Sequence, residues 1–243
     1  MNPMSLRNQV ALVLGASSGI GRETAILLAR DGVRVMASAR REDRLRELRE
    51  ALQGEGLSLE YHVAEAADPV AMETLARVTR ERLGEIDIMV YSTGTNVPGR
   101  ALTRLTCESW DRIVTVNLNG AFYITRAVLP AMRQRGRGHL IYISSISGQV
   151  PDVSGAAYQA SKRGMIGLAH AIRVEEKEHG IRTCAILPGL VDTDFLAYRP
   201  VETPAETRAK ALRPEDVAEA VLAVARLPES VVVPEMQILP TLL

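Results

Sequence analysis

Tyr158 and Lys162 stand four residues apart in the run Tyr158-Gln159-Ala160-Ser161-Lys162, within a stretch of helical periodicity. On a helix that spacing stacks two side chains on one face, one turn apart, so a phenol and an ammonium reach one site. A phenol with its ordinary pKa of about 10 holds its proton too tightly at neutral pH to act well as both acid and base. Lowering it to roughly 7 takes about 4 kcal/mol of preferential stabilisation of the phenolate. An ammonium about 4 Å away, at an effective dielectric of about 20, supplies a term of that size. The pair thus reads as a proton-transfer device whose phenol is drawn down by its lysine. Alone it is also a common surface arrangement, so its weight depends on its company.

A second candidate is the loop Gly15-Ala16-Ser17-Ser18-Gly19-Ile20-Gly21, placed between an apolar run and a helical pattern. Glycines at a strand-to-helix turn permit positive φ and let backbone N–H groups approach a pyrophosphate, which the helix dipole favours. A plain glycine-rich turn would look similar. Its place directly after the first strand of a βαβ unit selects the dinucleotide reading.

The elements that must position these residues alternate. Strand candidates are Gln9 to Leu14, Val33 to Ala39, Leu57 to Val63, Ile86 to Tyr91, His139 to Ser144 and Ile181 to Leu187, with a seventh inside Val231 to Leu239. Helical patterns cover Gly19 to Arg30, Arg41 to Gln53, Pro69 to Leu83, Glu108 to Arg133, Gly155 to His179 and Pro214 to Ala225. That alternation predicts an α/β fold, a doubly wound, mainly parallel seven-stranded sheet with helices on both faces. No linker, repeat or low-complexity tract divides the chain, so residues 1–243 read as one dinucleotide-binding domain. The irregular stretch Pro188 to Arg213 reads as a lid or binding loop, with residues 190–213 closing over substrate.

Composition removes several alternatives. The 243 residues carry 29 basic and 29 acidic side chains, a formal net charge of zero, which leaves no basic surface for nucleic acid. No run approaches the about 18 apolar residues of a bilayer span, and Gly15 cuts the first apolar run short of a signal peptide. Cys107 and Cys184 lack CxxC spacing and suit reduced thiols, so a cytoplasmic protein without a membrane partner is expected. The four histidines lack metal-ligand spacing, so no metal is expected.

With these motifs the chain resembles the short-chain dehydrogenase/reductases in their compact single-domain form, including members similar to 3-oxoacyl-ACP reductases. The family's glycine motif matches at Gly15, Gly19 and Gly21, with Leu14 in place of its threonine. The resemblance implies a tetrad of Asn117, Ser145, Tyr158 and Lys162, Ser145 being chosen over Ser144 and Ser147 because it lies thirteen residues before the tyrosine. It implies hydride transfer between a nicotinamide cofactor and a small carbonyl or alcohol. Tyr158 then moves the proton, Ser145 holds the reacting oxygen, Lys162 also anchors the ribose and Asn117 helps hold a relay water.

Cofactor contacts are implied for Ser17, Ser18, Ile20 and Gly94, for Glu65 near the adenine, and for Pro188, Gly189, Val191 and Thr193 near the carboxamide. The acid that would bind ribose hydroxyls after the second strand is absent; Arg40 and Arg41 stand there instead. Guanidiniums match phosphate, so NADP(H) is preferred, with NAD(H) as the alternative. Asp68, nearby, reads instead as a cap for the helix begun by Pro69.

Two segments depart from the family. Its NNAG appears as Tyr91-Ser92-Thr93-Gly94, so the asparagine bonds need replacement, in part by the Ser92 and Thr93 hydroxyls. The tail Val231 to Pro240 also differs, in a region that often forms a subunit interface; the family implies a homodimer or homotetramer. The alternative function is an NADP(H)-binding sensor without turnover.

Overall fold

The computed structural model describes residues 5–242. Seven strands, β1 (Val10–Leu14), β2 (Arg34–Ala39), β3 (Leu59–Val63), β4 (Ile88–Tyr91), β5 (Gly138–Ile143), β6 (Ile181–Pro188) and β7 (Glu235–Ile238), form a sheet of order β3-β2-β1-β4-β5-β6-β7. Every neighbouring pair is parallel. Both faces are covered, which is why the central strands are continuous buried apolar runs.

Period-two alternation divides the strand residues between two cores. Ala11, Val13, Val35, Ala37, Val90 and Ile141 pack to one side with α1 (Gly19–Arg30), α2 (Glu42–Gly54) and α8 (Pro214–Ala225). Leu12, Leu14, Met36, Met89, Tyr91 and Tyr142 pack to the other with α3 (Pro69–Leu83), α5 (Gly120–Arg135) and α6 (Ala156–Glu176). The helices show why they fold so: α1 buries Gly21, Thr24, Ala25, Leu28 and Ala29, and α2 buries Leu45, Leu48 and Leu52 while its charged residues face water.

Three segments differ from the sequence expectation. The single helix expected over Glu108 to Arg133 is α4 (Cys107–Val114), a π-helical turn at Thr115–Asn119, then α5. The last turn of the helix expected to reach His179 is 3₁₀. The stretch Pro188 to Arg213 holds a 3₁₀ turn at Asp194–Tyr198 and the short helix α7 (Ala205–Lys210), closed by a parallel bridge between Val191 and Leu212. Asp68 caps α3, accepting from Val70 N at 2.8 Å. No described helix is long and apolar enough to cross a membrane, and no group of three or more candidate metal ligands occurs among the described residues.

Strand order reverses at β1, which lies between β2 and β4. Connections leaving β1 and β4 therefore turn to opposite faces, opening a crevice at the carboxyl ends of the strands. The functional residues gather there.

Candidate active site

A cleft of about 680 Å³ runs along that edge. One end is the turn after β1. Gly15 N and Ala16 N donate to Ser38 O at 2.8 and 3.1 Å, tying the turn to the end of β2. Gly15, at φ +79°, passes so close to the β4 connection that a Cβ would lie 2.7 Å from Ser92 C. A Cβ on Gly21 would lie 2.4 Å from Gly15 O, so the glycine is what lets α1 begin directly above the turn. Ser18 makes no side-chain cap, which leaves the first-turn N–H groups of α1 available to an anion. Such a cradle fits a pyrophosphate. Gly15, Ser17, Ser18, Gly19 and Ile20 line the cleft, whereas Gly21 supports them from behind.

The two arginines after β2 differ in their settings. Arg41 donates to Ser17 Oγ at 3.0 Å and to Ser18 Oγ at 2.7 Å, reaching back over the glycine turn. Arg40 is paired with Glu65 at 3.4 Å, with both side chains partly in solvent. All three line the same end of the cleft.

At the other end, Ser145 follows β5 and Tyr158 and Lys162 come from the first two turns of α6. Lys162 Nζ donates to Ile143 O at 2.8 Å and lies 5.8 Å from the centre of the Tyr158 ring. Gly94 closes this corner: a Cβ there would stand 3.6 Å from Lys162 Nζ and 3.7 Å from Asn117 Oδ1. Pro188, Gly189, Val191 and Thr193 form the rim beyond β6, where Gly189 N donates to Ile238 O at 2.8 Å.

Desolvation pushes the Tyr158 phenol up to about 12, against the Ser145 hydroxyl acting to lower it. Burial likewise pushes Lys162 down to about 7. The expected lowering of the phenol by its lysine is therefore reversed in direction. Loss of water sets both shifts, and both groups favour their neutral forms.

Asn117 lies behind the cleft and is fully buried. Its Oδ1 accepts from Thr95 N at 2.7 Å, and its Nδ2 donates to Thr95 O at 3.1 Å and to Ser161 Oγ at 3.0 Å. One amide thus ties the β4 connection to α6. The π turn carries this residue, as such turns often do at functional sites. Tyr91, at the first position of the segment standing in place of NNAG, donates its hydroxyl to Val116 O at 2.5 Å. The Ser92 and Thr93 hydroxyls, expected to replace the asparagine bonds in part, make no side-chain hydrogen bond among the described residues.

Sequence reasoning missed Asn96, Arg100, Asp152, Ser154 and Arg199, which all line the cleft near Tyr158. None stands at a recognisable spacing. Phe195 and Tyr198, within the stretch read as a lid, make tilted and edge-on aromatic contacts: the Phe195 ring centre lies 5.7 Å from that of Tyr158 and 5.2 Å from that of Tyr198.

Comparison with known proteins agrees with this arrangement. Residues 9–202 match the family model described as short chain dehydrogenase. An uncharacterized oxidoreductase of Staphylococcus saprophyticus is 34% identical over 98% of this chain and 99% of its own. Among solved structures, an actinorhodin polyketide ketoreductase variant with NADPH superposes with a TM-score of 0.88 at 31% identity, covering 96% of this chain and 97% of that one. A serine dehydrogenase complexed with NADP+ gives 0.87 at 31% identity, covering 95% and 94%. With its parallel sheet and the match over most of its length, the chain belongs to the short-chain dehydrogenase family and is an oxidoreductase.

Proposed function

We propose that this chain is a one-domain, NADP(H)-preferring reductase or dehydrogenase of a small carbonyl or alcohol, with Tyr158 as its general acid and base. The observation that carries the reading is one cleft with a phosphate cradle and Arg41 at one end and Ser145, Tyr158 and Lys162 at the other. Two solved neighbours hold NADPH and NADP+, which supports the same cofactor here.

NADPH, when bound, supplies the hydride that reduces the substrate's carbonyl carbon. The residues of this chain handle the oxygen. Ser145 donates a hydrogen bond to it and holds it in place, as a preorganised donor does. As the C=O electron pair collects on that oxygen, the Tyr158 O–H bond breaks and its proton goes there. A solvent proton restores the phenol, so the net change consumes NADPH and one proton and yields alcohol and NADP+. A phenol held in its protonated form suits the reductive direction at neutral pH.

In this reading Lys162, fixed by Ile143 O, gives its remaining donors to the ribose and the phenol. Asn117 acts as a positioning residue, holding Ser161 one residue from Lys162. The proposed assembly is the homodimer or homotetramer that the family implies.

Tyr158→Phe tests the assignment. Turnover of a reducible carbonyl is expected to fall by roughly a hundredfold to ten-thousandfold, the usual reach of acid–base catalysis, while NADPH binding followed by fluorescence stays intact. A variant that keeps its wild-type rate sinks it. A protein that binds NADPH and reduces nothing across ketones, aldehydes and acyl thioesters is a sensor instead.

A further inference from the structure

The cleft continues past Tyr158 to a mouth that hydride transfer alone leaves unused. Two further arginines line it, Arg100 from the connection between β4 and α4 and Arg199 from the end of the 3₁₀ turn after β6. Arg100 is 9% exposed, and its guanidinium makes no hydrogen bond or ion pair among the described residues; Nε is closed off from solvent, so the Nη donors are the ones left to a ligand. A buried donor left unpaired is a standing cost that an acceptor on a ligand relieves.

The place is built rather than incidental. Gly155, at φ +94° and without a side chain, lets the Arg100 stem rest on the start of α6: an added Cβ would lie 2.8 Å from Arg100 Cβ and 3.2 Å from its Cγ. Asn96 Nδ2 donates to Ser154 O at 3.0 Å and pins the same two segments together. Arg199 donates to Thr203 Oγ1 at 3.3 Å and makes no ion pair among the described residues.

Burial and the charge of Arg199 both push the Arg100 guanidinium down, while Asp152 and Tyr158 raise it, which puts these three groups within electrostatic reach of Arg100. The carboxylates facing this mouth are Asp152 and Asp194, both exposed. Asp152 is occupied, accepting from Ser147 Oγ at 2.5 Å and from Ser154 N at 2.7 Å. The arginines remain the free partners for an anion.

We propose that Arg100 and Arg199 bind a carboxylate of the substrate, which makes that substrate a short oxo acid or hydroxy acid rather than a neutral ketone or alcohol. This rests on the reading of Tyr158 as proton donor to the carbonyl. A planar guanidinium fork matches a carboxylate, and two cations partly offset by Asp152 suit a single negative charge better than a phosphate dianion.

Rates of NADPH oxidation with acetoacetate and with methyl acetoacetate compare the same ketone with and without the charge. The acid's kcat/KM is expected to exceed the ester's by about ten- to a hundredfold, the span of a charge-assisted hydrogen bond. Arg100→Gln and Arg199→Gln should raise the acid's KM more than they lower its kcat and bring the ratio toward one, with Arg100→Lys restoring part of it. Equal kcat/KM for acid and ester in the unsubstituted protein, or a ratio unchanged in both variants, overturns the proposal.

Saturation-transfer NMR with butyrate, which has no ketone to reduce, reads the carboxylate site without turnover. A signal that weakens in Arg100→Gln supports the site, and one equal in both proteins refutes it. If neither ketone is reduced while butyrate binding still depends on Arg100, hydride transfer is the reading that falls and the carboxylate site stands.

Discussion

Lys162 Nζ is hydrogen-bonded to Ile143 O at 2.8 Å, so the amine of α6 is fastened to the last residue of β5. The same lysine's carbonyl accepts from Ser144 Oγ at 2.9 Å. The side chain is held where its charge is least welcome, and burial lowers its pKa from 10.5 to about 7.

That arrangement sets a stability profile. The unfolded chain binds this proton up to about 10.5 and the folded chain only up to about 7, so stability rises with pH across that window. Below about 7 both states are protonated and the penalty is fully present. Lys162→Met is therefore expected to raise the melting temperature most below neutral pH, with the gain fading toward pH 10, while turnover is lost. Melts across the pH range check this. A gain that grows with pH contradicts it.

Arg41 is the second test. Because it reaches the Ser17 and Ser18 hydroxyls, it stands over the loop that would hold the cofactor's phosphates. Arg41→Ala should raise the KM for NADPH by about ten- to a hundredfold, the loss of a charge-assisted bond to phosphate, and that for NADH by only a few-fold. Arg40→Ala should do less, since Arg40 is engaged with Glu65. Equal effects on both cofactors would show that Arg41 only braces the loop.

Asn117→Ala removes three bonds from a fully buried amide and leaves Thr95 N–H and O without their partner. The expected cost is about 2–4 kcal/mol in urea denaturation, since buried polar groups are stranded. Activity should fall along with it, because the tie between the β4 connection and α6 is gone. A stability within error of the parent protein would mean that Thr95 and Ser161 find each other.

Much of this was legible in the residues. Strand runs, helical spacing and the glycine turn are local patterns, and the parallel sheet follows from their alternation. The π turn was not, because its trace is a single five-residue step, Val116 to Ala121, in the series Ile113, Val116, Ala121, Ile124 and Val128, whose other steps are three or four. Arg100 was hidden for a different reason. Its burial comes from a long-range encounter with Gly155, and no spacing near residue 100 records it. The direction of the Tyr158 shift was misread because charge attraction can be summed from types and spacing, whereas desolvation depends on everything packed around the pair.

Gly155 has a consequence for selectivity by length. Arg100 lies against its backbone, and a Cβ there would stand 2.7 Å from Arg100 O, so the arginine's origin is set by the chain path three residues ahead of Tyr158. The root of the arginine is then gauged against the phenol by rigid backbone, as one jaw of a caliper is against the other. On the carboxylate reading, lengthening an oxo acid by one methylene should cost more than branching it, and a residue larger than glycine at 155 would reset the gauge before it touched the chemistry.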